Sequence, residues 1–410
     1  MTPAARLQAA IDILEEIEKS TLPADRILDA WGKAHRFAGS KDRAAIAERV
    51  FEILRRRSEC AWAMQNSSPR DWVLGALKVI DRLPDTDIAR LFAGEGHGPS
   101  PLSADEARRL RAPVPPQSPE IALSFPAWLA PELERAFKGH LAREMAPFLR
   151  RAPVDLRVNT LRASREALAA ALGDEGIETA PHALSPWGLR ITGGPARAVT
   201  RTDPFDEGWF EVQDMGSQRA ALLLGAGRDE TVLDLCAGGG GKALALAAMM
   251  ENKGALIACD IGPARLAELS LRARRAGASI IKTKVLDPDW MGGAAAPDIA
   301  RGSIDRILID APCSGTGTWR RNPETKWRLT QARLVELTRL QGTLIDAALP
   351  WLIPGGTLAY VTCSLLCGEN EDVVSGALAR PAGLRLAAQH RLSPASGDCD
   401  GFGIAILERN

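Results

Sequence analysis

Residues 232–242 read Val232-Leu233-Asp234-Leu235-Cys236-Ala237-Gly238-Gly239-Gly240-Gly241-Lys242, an apolar run passing into a glycine-rich turn, with helix-like residues 243–250 behind it. Glycines at such a place let the backbone turn sharply and come close to a ligand, where a first strand hands over to its helix. About twenty residues on, Leu256-Ile257-Ala258-Cys259 ends in Asp260, where a carboxylate can accept hydrogen bonds from both hydroxyls of a ribose. The turn has no Walker lysine followed by Ser or Thr, since Ala243 follows Lys242, and no regular GxGxxG. A nucleoside ligand without phosphates suits it better than a nucleotide, and S-adenosylmethionine is such a ligand. Asp287, after Val285 and Leu286, either reaches the adenine edge or caps a helix near Pro288.

Outward from this turn, apolar runs at 232–235, 256–259, 307–309 and 357–361 alternate with helix-like segments. That rhythm predicts a mostly parallel, doubly wound sheet over residues 206–410. The front of the chain reads differently. Thr2 suits a helix cap and Pro3 the first helical position, Leu7, Ile11, Leu14 and Ile17 recur at helical spacing, and a second helix begins near Ser40. Ala44, Ile46, Ala47, Val50, Ile53 and Leu54 give that helix a broad apolar face. Residues 94–119, rich in Gly, Pro and Ser, read as a linker closing a helical domain of residues 1–125. Between the two, 126–205 combines a helical stretch to Arg150 with the alternating Val154, Leu156 and Val158, as in a small α+β, RRM-like subdomain.

Two further strand ends carry thiols. Ile307-Leu308-Ile309-Asp310-Ala311-Pro312-Cys313-Ser314-Gly315-Thr316-Gly317 puts a carboxylate and a cysteine just past a buried strand, where open α/β sheets keep their active sites. Ala359-Tyr360-Val361-Thr362-Cys363-Ser364 repeats the arrangement behind an expected turn at Pro354-Gly355-Gly356. If the strands are neighbours, both sulfurs face one pocket. Carbon 5 of cytosine is a poor nucleophile; a thiolate adding to carbon 6 makes an enamine that can take a methyl group, after which a base removes the carbon-5 proton and the sulfur leaves. Two thiols and a carboxylate meet these needs, with Asp310, protonated or sharing a proton, able to hydrogen-bond N3. Cys60, Cys236, Cys259, Cys367 and Cys399 read as core packing.

Composition narrows the setting. With 410 residues, 46% of them hydrophobic, the chain can bury a large core in two or three domains. No apolar run approaches the roughly 18 residues of a membrane helix, and Asp12, Glu15 and Glu16 interrupt the start, so a soluble, cytoplasmic protein is expected. The seven cysteines have neither disulfide-framework nor zinc spacing, and no metal is expected. Since 51 basic residues balance 51 acidic ones, nucleic acid would have to be held by local basic surfaces. A monomer is the default expectation.

Through Arg157-Val158-Asn159-Thr160, Gln213-Asp214 with Ser217-Gln218, the glycine-rich turn, 310–315, 321–327, Thr362-Cys363-Ser364 and Glu369-Asn370-Glu371, the sequence resembles the Sun/Nop family of RNA 5-methylcytosine methyltransferases, in its RsmB type. The resemblance covers about residues 126–410 and implies an α/β fold: a Rossmann-like class I methyltransferase sheet preceded by a small α+β subdomain and an all-α, NusB-like RNA-binding domain. It implies that Cys363 attacks the base, Cys313 promotes release and Asp310 contacts the cytosine. It also implies S-adenosylmethionine contacts from Cys236, Ala237, Gly238, Gly239, Gly240, Gly241, Lys242, Asp260, Arg265, Asp287 and Asp310, and a ribosomal RNA substrate. DNA cytosine methyltransferases attack from a Pro-Cys similar to Pro312-Cys313; the second thiol favours the RNA family. The sequence departs from the family twice. Gly238, Gly239 and Ala243 stand where the family loop Cys-Ala-Ala-Pro-Gly-Gly-Lys-Thr has Ala, Pro and Thr, which predicts a looser loop. Asp400-Gly401-Phe402-Gly403 replaces Asp-Gly-Phe-Phe, removing an aromatic.

For holding RNA, Trp319, Arg320, Arg321, Lys326, Trp327 and Arg328 interleave cations with indoles, suited to phosphates and bases respectively. Arg150, Arg151, Arg157 and Arg162, with Asn159, suggest a second basic surface. A target carbon inside a duplex is out of reach, so the expected substrate is a loop or a flipped base. Three rival readings remain at this level: an RNA- or partner-binding protein on a decayed methyltransferase fold, the same cofactor acting on DNA or a small molecule, and the same chemistry on transfer RNA.

Overall fold

The computed structural model describes residues 1–292, 298–380 and 383–410. The chain forms two compact units, one of residues 1–151 with 318–329, the other of 152–317 with 330–410.

The second unit holds two sheets. In the smaller, β1 (Asp155–Val158), β2 (Glu178–Pro181), β3 (Gly188–Gly193) and β4 (Phe210–Val212) lie in the order β2-β3-β1-β4, every pair antiparallel. The larger contains β5 (Thr231–Asp234), β6 (Ala255–Asp260), β7 (Ile281–Val285), β8 (Ile304–Asp310), β9 (Leu352–Thr362), β10 (Leu384–Leu392) and β11 (Phe402–Arg409). Their order is β10-β11-β9-β8-β5-β6-β7; β5 to β9 run parallel, and β11 is antiparallel to both its neighbours. This is the expected Rossmann-like methyltransferase sheet. From β5 the chain moves outward through β6 and β7, then returns to the other side of β5 for β8 and β9. Ligand crevices in open α/β sheets form at the carboxyl ends of strands flanking such a reversal.

Both faces of the sheet are covered, which is why its strands read as unbroken apolar runs rather than alternating ones. Val232, Leu256, Leu308 and Val361 pack into one core with the helices Met215–Leu224, Gly241–Met249 and Pro263–Ala276. Leu233, Cys259, Ile307, Ile309 and Tyr360 pack into the other, beneath Gln331–Ala348 and Glu371–Leu378. Successive residues of a strand point to opposite faces, so each run supplies both cores.

Several expectations need correction. The turn expected at Pro354-Gly355-Gly356 lies inside β9: the ladder with β8 passes from Ile304↔Leu352 directly to Arg306↔Thr357, so residues 353–356 bulge out, with Gly355 at φ +75°. In β1 all four residues are buried, not every second one, because Asp155 accepts from Arg190 Nε at 2.7 Å and Arg157 is enclosed. The small sheet continues past residue 205 to β4, and residues up to Arg151 cluster with the helical unit, as does 318–329.

In the first unit the helix Pro3–Lys19 is capped by Thr2, whose Oγ1 accepts from Ala5 N at 3.1 Å, and buries Leu7, Ile11, Leu14 and Ile17 as the spacing predicts. The helix Ser40–Arg55 buries Ile46, Val50, Ile53 and Leu54. Between them lies the helix Ala24–Ala34, which pattern reading passes over because only Ala24, Ile27 and Gly32 are fully buried. The stretch read as a linker contains the helix Ala104–Arg111, closed by a capping box between Ser103 and Glu106. Among the described residues no helix is long and apolar enough to cross a membrane.

Candidate active site

Adjacent parallel strands β8 and β9 deliver Cys313 and Cys363 to one place, with their sulfurs 3.3 Å apart. The hydrogen bond with Cys363, then burial, then the charge of Glu369 push the Cys313 thiol well above the ordinary cysteine range. Cys313 is therefore the thiol that holds its proton more firmly than a free cysteine does.

Beneath the sulfurs a buried carboxylate joins their two loops. Glu369 is fully buried and accepts from Ser314 N at 2.8 Å, Gln341 Nε2 at 3.0 Å, Ser364 Oγ at 2.5 Å and Ser314 Oγ. Ser314 follows Cys313 and Ser364 follows Cys363, so one side chain fixes both. Its donors are neutral, and removing the acceptor strands them in the core. Glu369→Ala should destabilise the protein by about 3 to 5 kcal/mol, read from the denaturant midpoint.

Asp310 ends β8 and Lys242 opens the helix Gly241–Met249; Lys242 Nζ donates to Asp310 Oδ2 at 2.6 Å. Burial opposes the ammonium, but Asp310 outweighs it, aided by Cys363, and Lys242 is held above its ordinary value. The lysine thus stands beside the catalytic candidates rather than only lining the loop. Phe402 lies 5.6 Å from Lys242 Nζ. At Gly403, where the expectation was a lost aromatic, any Cβ would collide with the Asn370 side chain. Asn370 accepts from Thr362 Oγ1 at 2.6 Å and donates to Ser364 O at 3.1 Å, so the glycine makes room for a tether on the Cys363 loop.

At the strand ends around the glycine-rich turn stand Asp234, Asp260 and Asp310. Asp260 is buried and held by Gly238 N at 2.9 Å and Gly262 N at 2.7 Å, while the exposed Arg265 reaches Oδ1 at 3.2 Å. Among the described residues neither oxygen of the buried Asp234 has a hydrogen-bond partner; burial, then the charge of Asp310, push its carboxyl up to about 8. Cys236 and Ala237 lead into the turn, closed by Gly240 N donating to Ala237 O at 2.9 Å. At Gly240 the backbone takes φ +84° and a side chain would overlap Leu269, so only glycine fits. Carboxylates repel phosphate and attract a cationic ligand that carries donors. Of the two readings of Asp287, the capping one is visible: its Oδ1 accepts from Asp289 N at 2.8 Å and its carbonyl from Trp290 N at 3.0 Å, ahead of the short turn Trp290–Gly292.

The residues expected to grip RNA need correction. Trp319, Arg320 and Lys326 are buried, and the segment's donors go to helix ends in the first unit. Lys326 Nζ donates to Arg55 O at 2.9 Å and Ser124 O at 3.0 Å, Trp327 Nε1 to Leu54 O at 3.2 Å, and Arg328 to Ile17 O and Leu22 O, both at 3.0 Å. Carbonyls at the last turn of a helix have no internal partner and carry partial negative charge, so cations and indole N–H groups suit them as they suit phosphates. Arg321 stays partly exposed. Arg157 is enclosed, burial drawing its guanidinium down to about 10, and Asn159 donates to Gly208 O and Ala276 O, both at 2.8 Å. Asn159 is thus an internal tie, while Nε and Nη1 of Arg157 are buried without a hydrogen-bond partner among the described residues.

Lys326 has a measurable consequence. Burial, then the charge of Arg55, lower its pKa from 10.5 to about 7. Across that window the unfolded chain holds a proton that the folded chain has released, so stability rises with pH. The denaturant midpoint should increase from pH 7.5 to pH 9.5, and Lys326→Met should flatten that increase.

The buried thiols Cys60, Cys259, Cys367 and Cys399 are core residues; Cys259 is pushed up to about 12 by burial. The sequence reading missed Asp234 and Glu369 as site components. An acid ending an apolar strand was a usable signal for the first; Glu369 stood in a noticed motif without a role. Gln341, on a distant helix, offered none.

Residues 221–401 match the family model described as 16S rRNA methyltransferase RsmB/F, and residues 125–197 that of the RsmF/B-like ferredoxin-like domain. Ribosomal RNA small subunit methyltransferase B of Salmonella agona is 37% identical over 256 residues, covering 62% of this chain and 58% of that protein. The chain thus spans little more than half the length of the curated relatives it matches. The crystal structure of PH0851 superposes with a TM-score of 0.79 at 24% identity, covering 100% of this chain and 99% of that one. A methyltransferase homolog protein from Pyrococcus horikoshii gives 0.63 at 27% identity, over 72% of this chain and 100% of that one. By these matches residues 221–401 are similar to 16S rRNA methyltransferase RsmB/F and residues 125–197 to the ferredoxin-like domain of RsmF/B-like methyltransferases.

Proposed function

We propose that the protein methylates carbon 5 of a cytosine in RNA, with small-subunit ribosomal RNA as the substrate and S-adenosylmethionine as the donor. The observation that carries this reading is the pair of thiols 3.3 Å apart on neighbouring strand ends.

The residues present fit the donor. Asp260 would accept from ribose hydroxyls, and the carboxylates of Asp260 and Asp310 favour a positively charged ligand over a phosphate. When bound, S-adenosylmethionine supplies a methyl group on a sulfonium. The rest belongs to the chain. Cys363 Sγ adds to carbon 6 of the base, which makes carbon 5 nucleophilic. Lys242 and Asp310, already sharing a hydrogen bond, offer a donor and an acceptor to the polar edge of the ring and to the charge that gathers on it. A base then takes the carbon-5 proton and Cys363 departs; Cys313 is the group placed to assist. For the helical unit we propose a NusB-like, RNA-binding role.

The test is transfer of a labelled methyl group to small-subunit ribosomal RNA and to DNA of the same sequence, with the product base identified. Label in RNA as 5-methylcytosine is expected. Equal labelling of DNA, or label on another atom, would refute the assignment.

A further inference from the structure

The departure of the glycine-rich turn from its family pattern has a structural counterpart on the helix Pro263–Ala276. From that helix Arg272 reaches over the turn, and its Nη1 donates to Gly239 O at 2.5 Å. Its Nη2 donates to Glu211 Oε2 at 2.9 Å, and Arg275 Nη2 holds the other Glu211 oxygen at 2.6 Å. Glu211 lies on β4 and is buried, so the guanidinium is clamped at one end and clasps the turn at the other.

We propose that Arg272, anchored by Glu211, is the positioning residue that holds the Gly238-Gly239 turn in the shape that accepts the methyl donor. The inference rests on the reading that this turn binds S-adenosylmethionine, and adds what keeps it ordered. Two adjacent glycines lose more conformational entropy on ordering than any other pair, and ordering them at the moment of binding would weaken affinity. Gly238 takes φ +53° with open space where a Cβ would lie, so packing does not confine it and only its amide is held, by Asp260 Oδ2 at 2.9 Å. A charge-assisted hydrogen bond to the Gly239 carbonyl confines the turn. A Cβ at residue 239 would sit 3.1 Å from Arg272 Nη1, so a side chain there would press the guanidinium back by a few tenths of an ångström.

The test is calorimetric titration with S-adenosylmethionine, together with amide hydrogen exchange of residues 236–241 in the ligand-free protein. Arg272→Ala should weaken binding about tenfold and speed exchange across the turn more than across the rest of the sheet. Glu211→Gln, which loosens the anchor and leaves Arg272 in place, should weaken binding and speed exchange at the turn in the same direction but to a smaller extent. Unchanged affinity and exchange in Arg272→Ala would overturn the proposal, and so would a Glu211→Gln protein with wild-type affinity and exchange. A wild-type protein that does not bind S-adenosylmethionine would instead sink the proposed donor, while the exchange comparison would still report on the brace.

Discussion

Replacing Cys363 with alanine is expected to lower kcat for methyl transfer by about 10⁴-fold or more while S-adenosylmethionine binding stays near the wild-type value. The size follows from the chemistry: without a covalent bond at carbon 6, carbon 5 of cytosine has too little electron density to attack a methyl group. Cys363 is partly exposed and packs at the edge of the core, so its truncation costs little stability. Its neighbour is a poor substitute. Cys313 sits on the loop after β8, fixed by Ser314 and Glu369, with its proton held on. Loss of Cys363 would ease that proton's release but not move the sulfur. Counting methyl groups transferred per enzyme, with a parallel titration of the donor, separates chemistry from binding. A Cys363→Ala enzyme that still turns over would reverse the roles of the two cysteines.

How far the sequence could be read depended on what each pattern physically specifies. Strand ends were legible because a buried parallel strand needs a continuous apolar run and its active-site residue must follow at the carboxyl end; Asp260, Asp310, Cys313 and Cys363 all appear there. The glycine-rich turn was legible for the same reason. Antiparallel β10 and β11 were not, since Leu384–Leu392 is largely solvent-facing and mixes charges with apolar residues. Donors misled most. Lys326, Trp327 and Arg328 have the chemistry of phosphate and base contacts, yet a helix end presents carbonyls that take the same donors. A one-dimensional pattern states what a side chain can bond, not which acceptor folding brings to it. Glu369 illustrates the converse: its partners Ser314 and Gln341 are far away in sequence, so no local spacing announces the hub.

Replacing Cys313 with alanine should leave attack intact and block departure, so that protein and RNA accumulate as a covalent complex. Its thiol holds its proton first because of the hydrogen bond with Cys363, then because it is buried, then because Glu369 is close. Once the Cys363 sulfur is bonded to carbon 6 it is a thioether, a poor hydrogen-bond partner, and the leading cause fades. The Cys313 thiol then becomes easier to ionise at the stage when a base is needed to take the proton from carbon 5. Before that stage the raised pKa protects against a premature base and against the wrong sulfur attacking. A gel-shifted species that survives denaturation should form with Cys313→Ala and RNA in the presence of the donor, and vanish in the Cys313→Ala/Cys363→Ala double variant. In the wild-type enzyme, release should speed up with pH while Cys313 is only partly ionised. A Cys313→Ala enzyme that releases product at the wild-type rate would assign the base to another group, with the Lys242–Asp310 pair the nearest alternative.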